Sequence, residues 1–505
     1  MENLLQQHTV CMSRSVIDRQ EECGVSGSFT LPDYCSDMAA VLTCTMVPHL
    51  QSRQWSGDRL LIDGAADVRV LYLDEDRCCI HSAEFSLPFS LEVKCDGVTD
   101  SVPVSVDLST RYVNWRGVSP RCIEIRGAVT AGILAQTTEE IPMAEVISPE
   151  LESKTCPVSV TAPAFFAEKV ITVSEQLDFP QMNPSADMLL GGECCLEMTE
   201  CRVLNAKAIV KGVLHVHQLY TDNGEKGTTH CLNYAVPFSQ IIDVDGATEN
   251  QLHSIRACIL SDTERCLVGA DGENTVLDVT AKILLQLCIW QREETTVLLD
   301  AYHTKYPVSP QHNEFEHSAY QGYRLENTVL PVPCQLPSGD ISEVVDVWTK
   351  MIECDTTVTG QKVAITGKLQ ISVLYRDCDK HVCFYQNTED FRMDSPCSGD
   401  KAQIEMNVVD TQYRMDGTCL QLQVKMNCHV KEYVCCNHRI ITDIQVQTDR
   451  AFDSSDVNLM MYYAHSGDSV WEIGRHCHAS ARYIAEENGL TDDRLDKDCL
   501  LTIPL

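Results

Sequence analysis

The side chains best equipped for chemistry in this 505-residue chain are its 27 cysteines and 16 histidines. Cysteine-built zinc, iron–sulfur and redox sites depend on close ligand spacing such as Cys-x-x-Cys. No such motif occurs; adjacent pairs stand instead at Cys78-Cys79, Cys194-Cys195 and Cys435-Cys436. Cys378 with Cys383, or Cys435 and Cys436 with His438, offer ligand types in principle, but many of the cysteines occupy apolar strand positions. Free cysteine there packs as a small hydrophobe. His215-Val-His217 puts two imidazoles on one face of a strand, a pair able to ligate metal. Related segments of the chain carry Asp67-Val-Arg69 and Gln370-Ile-Ser372 at the same place, so the expectation is a solvated face. Hydrolases need paired carboxylates or an activated nucleophile in a cleft. Carboxylates abound, but there is no Gly-x-Ser-x-Gly, no His-Glu-x-x-His and no phosphate-cradling glycine loop. The expectation is a non-enzyme with no metal and no cofactor.

The elements that carry these residues repeat. Gly64-Ala-Ala-Asp-Val-Arg-Val-Leu-Tyr72-Leu-Asp74 resembles the segments Gly212–Asp222 and Gly367–Asp377, with Tyr eight residues after Gly and Asp two after Tyr each time. Downstream come Pro88-Phe89-Ser90, Pro237-Phe238-Ser239 and the weaker Asp390-Phe391-Arg392. Upstream stand Pro32…Asp37-Met38, Pro184…Asp187-Met188 and Pro337…Asp340-Ile341. Tyr72, Tyr220 and Tyr375 are 148 and 155 residues apart, a domain-sized period too long for a solenoid. Val68, Val70 and Tyr72 alternate with Asp67, Arg69 and Leu71, as in a half-buried strand. Segments 121–131, 275–290 and 418–433 are likewise alternating and β-branched. The expectation is a mainly β chain of three tandem sandwich- or barrel-like copies, at 1–155, 156–310 and 311–450. The recurrent glycine marks a bulge or close backbone approach, and Tyr-x-Asp a strand end entering a turn.

From 458 to 505 the texture changes. Leu459–Ala464 reads as a strand, Ser466-Gly467-Asp468 as a tight turn, and Ser469-Val-Trp471-Glu472 as a capping box. Val470, Ile473, Gly474 and Cys477 share one helical face, and in His476-Cys-His478 the imidazoles suit the negative helix end. A second helix over 479–488 stops at Asn488-Gly489, and Cys499–Ile503 closes a βααβ unit.

Tyr-x3-Gly-Asp-Ser-x-Trp-x-Ile, followed by Asn488-Gly489-Leu490 and a final Leu-x-Ile-Pro, resembles a LysM domain. It departs from most members where Asp496-Lys-Asp498-Cys replaces Pro-Gly-Gln. Leu31-Pro-Asp-Tyr-Cys-Ser-Asp37, Val70-Leu-Tyr72-Leu-Asp74 and Leu87-Pro-Phe89-Ser90 resemble the SPOCS domain of clostridial spore-coat proteins. Tandem SPOCS copies with one C-terminal LysM is an arrangement of spore-coat morphogenetic proteins. The resemblance implies a non-enzymatic assembly protein whose LysM grips the ATPase that polymerises as the basement layer of the coat, on the forespore surface inside the mother cell. It also implies that the SPOCS copies connect other coat components. The alternative is the usual LysM role, binding peptidoglycan or other N-acetylglucosamine polymers. The LysM residues expected to meet the partner are Ser466, Gly467, Asp468, Trp471, Asn488, Gly489 and Leu490. Trp471 has a second reading as plain packing, and Asp468 and Glu472 as helix-cap partners.

Charge bears on these readings. Lys and Arg number 39 against 73 Asp and Glu, a net charge of −34. Nucleic-acid binding rests on Lys and Arg displacing counterions, so that class is excluded, and a grip on anionic lipid is disfavoured for the same reason. The 458–505 segment holds eight carboxylates and four Lys or Arg, which suits a basic protein partner. The N-terminus has no basic n-region or apolar h-region, and no apolar run approaches the ~20 residues of a membrane span. A cytoplasmic chain with reduced thiols is expected.

Overall fold

The computed structural model describes residues 5–75, 77, 79–95, 102–224, 228–270, 272–337, 341–417, 419–452 and 459–504. Cys78, Asp340, residue 418 and both outer ends of the βααβ segment, 458 and 505, lie outside the described residues. The fold is mainly β, built of small antiparallel sheets.

One six-strand plan occurs three times. In the first copy the strands are β1 (Leu5–Thr30), β2 (Ala40–Ser56), β3 (Arg59–Leu73), β4 (Ile80–Lys94), β5 (Val104–Ser119) and β6 (Cys122–Val146). The second has β7 (Leu151–Asp178), β8 (Ala186–Leu204), β9 (Lys207–Asp222), β10 (Thr229–Asp243), β11 (Leu252–Val268) and β12 (Asn274–His303). The third has β13 (Val308–Gln335), β14 (Ile341–Thr359), β15 (Lys362–Asp377), β16 (Val382–Pro396), β17 (Lys401–Asp416) and β18 (Cys419–Val446). Strands two to four of each copy form a meander, and strands one, six and five form a second sheet facing it. In the first copy Val68, Val70 and Tyr72 of the meander meet Ile123, Ile125 and Val129 of the other sheet.

The recurrent glycine has a steric reason. Gly64, Gly212 and Gly367 lie directly across the strand pair from Phe89, Phe238 and Phe391. A Cβ at Gly212 would stand 2.5 Å from the Phe238 ring and 2.8 Å from the Glu197 carbonyl. The aromatic ring fills the space a side chain would take. Phe391 therefore preserves in the third copy the part of Pro-Phe-Ser that packing requires. The recurrent tyrosines pin the upstream loops: Tyr72 Oη donates to the Ser36 carbonyl at 3.2 Å, and Tyr220 Oη to that of Pro184 at 3.1 Å. In the second copy the aspartate of Tyr-x-Asp then organises the turn, with Asp222 Oδ1 accepting the amides of Gly224 and Thr228 at 3.0 and 2.9 Å.

Alternation of buried and exposed residues holds along β3 until Leu71, Tyr72 and Leu73, which are all buried. The second face is covered because the copies pack on one another. Leu71, Leu219 and Leu374, each just before its recurrent Tyr, meet in one apolar cluster with Leu73, Ile80, Leu190 and Val382. Equivalent positions from three copies meeting at one point is the mark of a pseudo-threefold arrangement. The outer strands explain its extent: strands one and six of each copy run 25 to 30 residues, far beyond one sandwich. Their outer halves join in a second shared cluster of Val10 and Met143, Val158, Val160 and Val297, and Phe315 and Ile440. The three copies are thus joined in one fused body.

Candidate interaction site

The βααβ segment folds as expected, with β19 (Leu459–Ala464), α1 (Val470–Cys477), α2 (Ala481–Asn488) and β20 (Cys499–Pro504). Ser469 caps α1, its Oγ accepting the Glu472 amide at 3.4 Å, and Ser480 caps α2 by accepting that of Tyr483 at 3.4 Å. The helices end on left-handed residues, His478 and Gly489. The core is Ala464, Val470, Ile473, Ala479, Ile484, Leu495, Leu501 and Ile503.

The seven residues singled out in the sequence fall into three places. Ser466, Gly467 and Asp468 form the first turn. Ser466 donates its amide to Asp498 Oδ1 at 2.8 Å and its hydroxyl to the Asp496 carbonyl at 3.0 Å. Gly467 takes a positive φ of 92° and donates to the Leu495 carbonyl at 2.7 Å. Asp468 Oδ2 accepts the His465 amide at 2.8 Å. The divergent Asp496–Cys499 stretch therefore still closes the turn. Asn488, Gly489 and Leu490 bind α2 to β20: Asn488 donates to the carbonyls of Ile484 and Thr502 at 2.8 and 2.7 Å and accepts the Thr502 amide at 2.8 Å. Gly489 is the cap, and Leu490 packs on the module core.

Trp471 lies in the third place, a seam between α1 and the second copy. Its indole Nε1 donates to Asp300 Oδ2 at 2.8 Å, and its ring meets Tyr302 edge-on at 4.8 Å. Tyr302 Oη donates to the Ala479 carbonyl at 2.8 Å and accepts the Ala481 amide at 3.1 Å, closing the gap between the helices. A Cβ on Gly474 would stand 2.5 Å from that hydroxyl, so the close approach needs glycine there. Arg475 pairs with Asp300 and lies over the Tyr302 ring. At the seam's edge Asp493 accepts the Trp471 amide and the Ser469 hydroxyl, each at 3.0 Å, and pairs with Lys154 at 3.4 Å. Burial opposes the Asp493 charge, but these donors prevail and hold its carboxyl below the ordinary value. Trp471 thus packs against the second copy of its own chain and not against the closing strand. Tyr302 and Asp300 were invisible as partners because nothing local in β12 marks them.

What the module leaves open is a flat apolar face. Leu459, Met461 and Tyr463 alternate along β19 with Met460 and Tyr462, which pack inward. The outward three are 49, 54 and 59 % exposed, and Leu500, paired opposite Tyr463, is 56 % exposed.

The histidine pair is also resolved. His215 and His217 face the third copy instead of solvent. His215 Nε2 lies 2.6 Å from Glu197 Oε2, itself 2.8 Å from the Lys425 ammonium, and His217 Nε2 lies 2.8 Å from Asp346 Oδ2. Burial opposes ionisation of Glu197, yet Lys425 and His215 hold its carboxyl below the usual range. The related Arg69 likewise reaches across a seam, to the Gly192 carbonyl of the second copy.

The body is mainly β, three fused copies of one plan of paired sheets. A family model described as SipL, SPOCS domain matches residues 37–116, 185–260 and 340–416. The chain thus carries three tandem segments that match the SPOCS domain, a domain of sporulation-related, coat-associated proteins. Each match covers the meander and much or all of the fifth strand, leaving the long outer strands outside. Comparisons with curated proteins and with solved structures find no match. No helix among the described residues is long and apolar enough to cross a membrane.

Proposed function

We propose that this chain is a non-enzymatic spore-coat assembly protein. Its C-terminal βααβ module is a LysM domain that binds the ATPase of the coat basement layer on the forespore surface, within the mother cell, linking coat assembly to engulfment. The three SPOCS copies form the body that holds the module and meets other coat proteins. The observation that carries the reading is the pairing of the SPOCS matches with a small module seated on that body and showing an open apolar face. Exposed apolar patches on folded modules mark contact surfaces, and the module's surplus of carboxylates favours a basic partner. Ser466, Gly467 and Asp468 form the module's first turn and are the remaining contact candidates; Trp471 serves the partner by fixing how the module is presented.

The test is capture of the ATPase by the purified full chain. Tyr463→Asp and Leu500→Asp, which leave the module core intact, should each cost ~2 kcal/mol or more of binding, the scale of an interface hot spot. Undiminished capture by both variants would rule out the apolar face as the contact, and retention on insoluble peptidoglycan in place of ATPase binding would overturn the reading in favour of a glycan-binding LysM.

A further inference from the structure

Among the described residues, three clusters of His, Cys and carboxylate side chains stand close enough to share an ion. Neither Cys378 with Cys383 nor Cys435 and Cys436 with His438 is among them. Asp377, Asp379 and His381 sit on an exposed turn where the aspartate already accepts local amides. Cys194, Asp262 and Glu264 lie at the seam of the first and second copies, where the Arg69 guanidinium already supplies positive charge. The third cluster joins the second copy to the third: His217 on β9, Cys231 on β10 and Asp346 on β14.

Its geometry has a first and a second layer. His217 Nε2 lies 2.8 Å from Asp346 Oδ2, and Cys231 Sγ lies 3.8 Å from Nε2 and 3.4 Å from Nδ1. Ligands on a tetrahedral zinc ion stand roughly 3.3–3.7 Å from one another, so to hold one the carboxylate would draw back from Nε2 and the thiol would swing from the ring edge toward it. His217 Nδ1 is 2.6 Å from Asn233 Oδ1, which receives the Nδ1 proton and holds Nε2 facing Asp346. Asp346 Oδ1 accepts the Val347 amide at 2.9 Å, leaving Oδ2 to face the imidazole. The imidazole, the carboxylate and the Cys231 thiol thus converge on one point of the seam. A proton on Nε2 joins His217 to Asp346 alone, with the Cys231 sulfur 3.4 Å from Nδ1. A metal ion uses all three groups. Asp346 is closed off while the His217 side chain keeps 28 % exposure, enough for entry and for a fourth, water ligand.

We propose that His217, Cys231 and Asp346 bind a divalent zinc-class ion that clamps the second copy to the third. Binding breaks the Cys231 S–H bond, releases that proton to solvent and gives the sulfur electron pair to the metal; nothing is oxidised. Asn233 is a positioning residue, acting on the metal through His217. The clamp is independent of what the C-terminal module binds.

Cobalt titration of the chelator-dialysed full chain tests this. One equivalent should produce a thiolate-to-cobalt charge-transfer band, and zinc should displace it. Cys231→Ser should lose the band, and Asn233→Ala should weaken binding 10- to 100-fold, with circular dichroism unchanged in both. Zinc should raise the unfolding midpoint of the parent and not that of Cys231→Ser. A band of equal strength in Cys231→Ser would place the ion on other thiols and overturn the proposal. A parent chain that binds no cobalt would do the same and leave a protonated His217–Asp346 pair.

Discussion

Gly212 and its two counterparts each face a phenylalanine, and the pairing turns a repeated residue into a measurable constraint. Gly212→Ala would drive a methyl group against Phe238 and the Glu197 carbonyl, so overpacking should cost about 1–3 kcal/mol. An unchanged denaturation midpoint would contradict this. Close backbone approach at that glycine was legible in the sequence, because spacing records what the backbone demands. The histidine pair was not. Its sister residues are polar, and polarity on alternate strand positions reads as solvent until a neighbouring copy is known to cover the face. Glu405 shows the same thing at a charged site. It pairs with Lys431 at 2.7 Å and with Arg256 of the second copy at 3.2 Å, and Arg256 also pairs with Asp107 of the first. Burial opposes its ionisation, but Lys431 and Arg256 hold the carboxyl well below its ordinary 4.5. A depressed carboxyl stabilises the fold fully above its unfolded value and loses that stabilisation as pH falls toward the folded one. Stability of the parent should therefore drop more steeply below pH 4.5 than that of Glu405→Gln; parallel acid limbs would contradict the pairing.

The elements divide into those whose pattern is local and those whose length is set by distant packing. Helix caps at Ser469, Ser480 and Gly489 and the hairpin ends are written in a few residues each, so the βααβ order could be read directly. The 25- to 30-residue outer strands could not, because half of each is buried by the other copies and carries no boundary signal of its own. The seat of the module has the same origin: Asp300 and Tyr302 stand near the end of β12, 171 and 169 positions from Trp471 of the helix they hold. Tyr302→Phe removes the hydroxyl that bridges Ala479 and Ala481, and Asp300→Ala removes the acceptor shared by Trp471 and Arg475. Together they should speed amide exchange in α1 while leaving β19 and β20 protected. Exchange unchanged throughout the module would mean the seam contributes nothing to its placement.

At the scale of the molecule, the leucine that precedes each recurrent tyrosine fastens three copies into one body. Leu219→Ala, at 5 % exposure in the three-copy cluster, should lower stability by ~2–5 kcal/mol. Probes placed in all three copies should report the loss in one common transition; a shift confined to the second copy would show that the copies fold apart. Such a body suits a scaffold, with a net charge of −34 keeping it from nonspecific self-association. The central claim is that the body serves coat assembly by presenting a LysM to the basement-layer ATPase. Co-purification from sporulating cells, comparing the full chain with one lacking 459–505, tests it most directly. The account predicts that the full chain brings down the ATPase and the truncated chain does not, while both keep other coat proteins. Recovery of the ATPase with the truncated chain would contradict it.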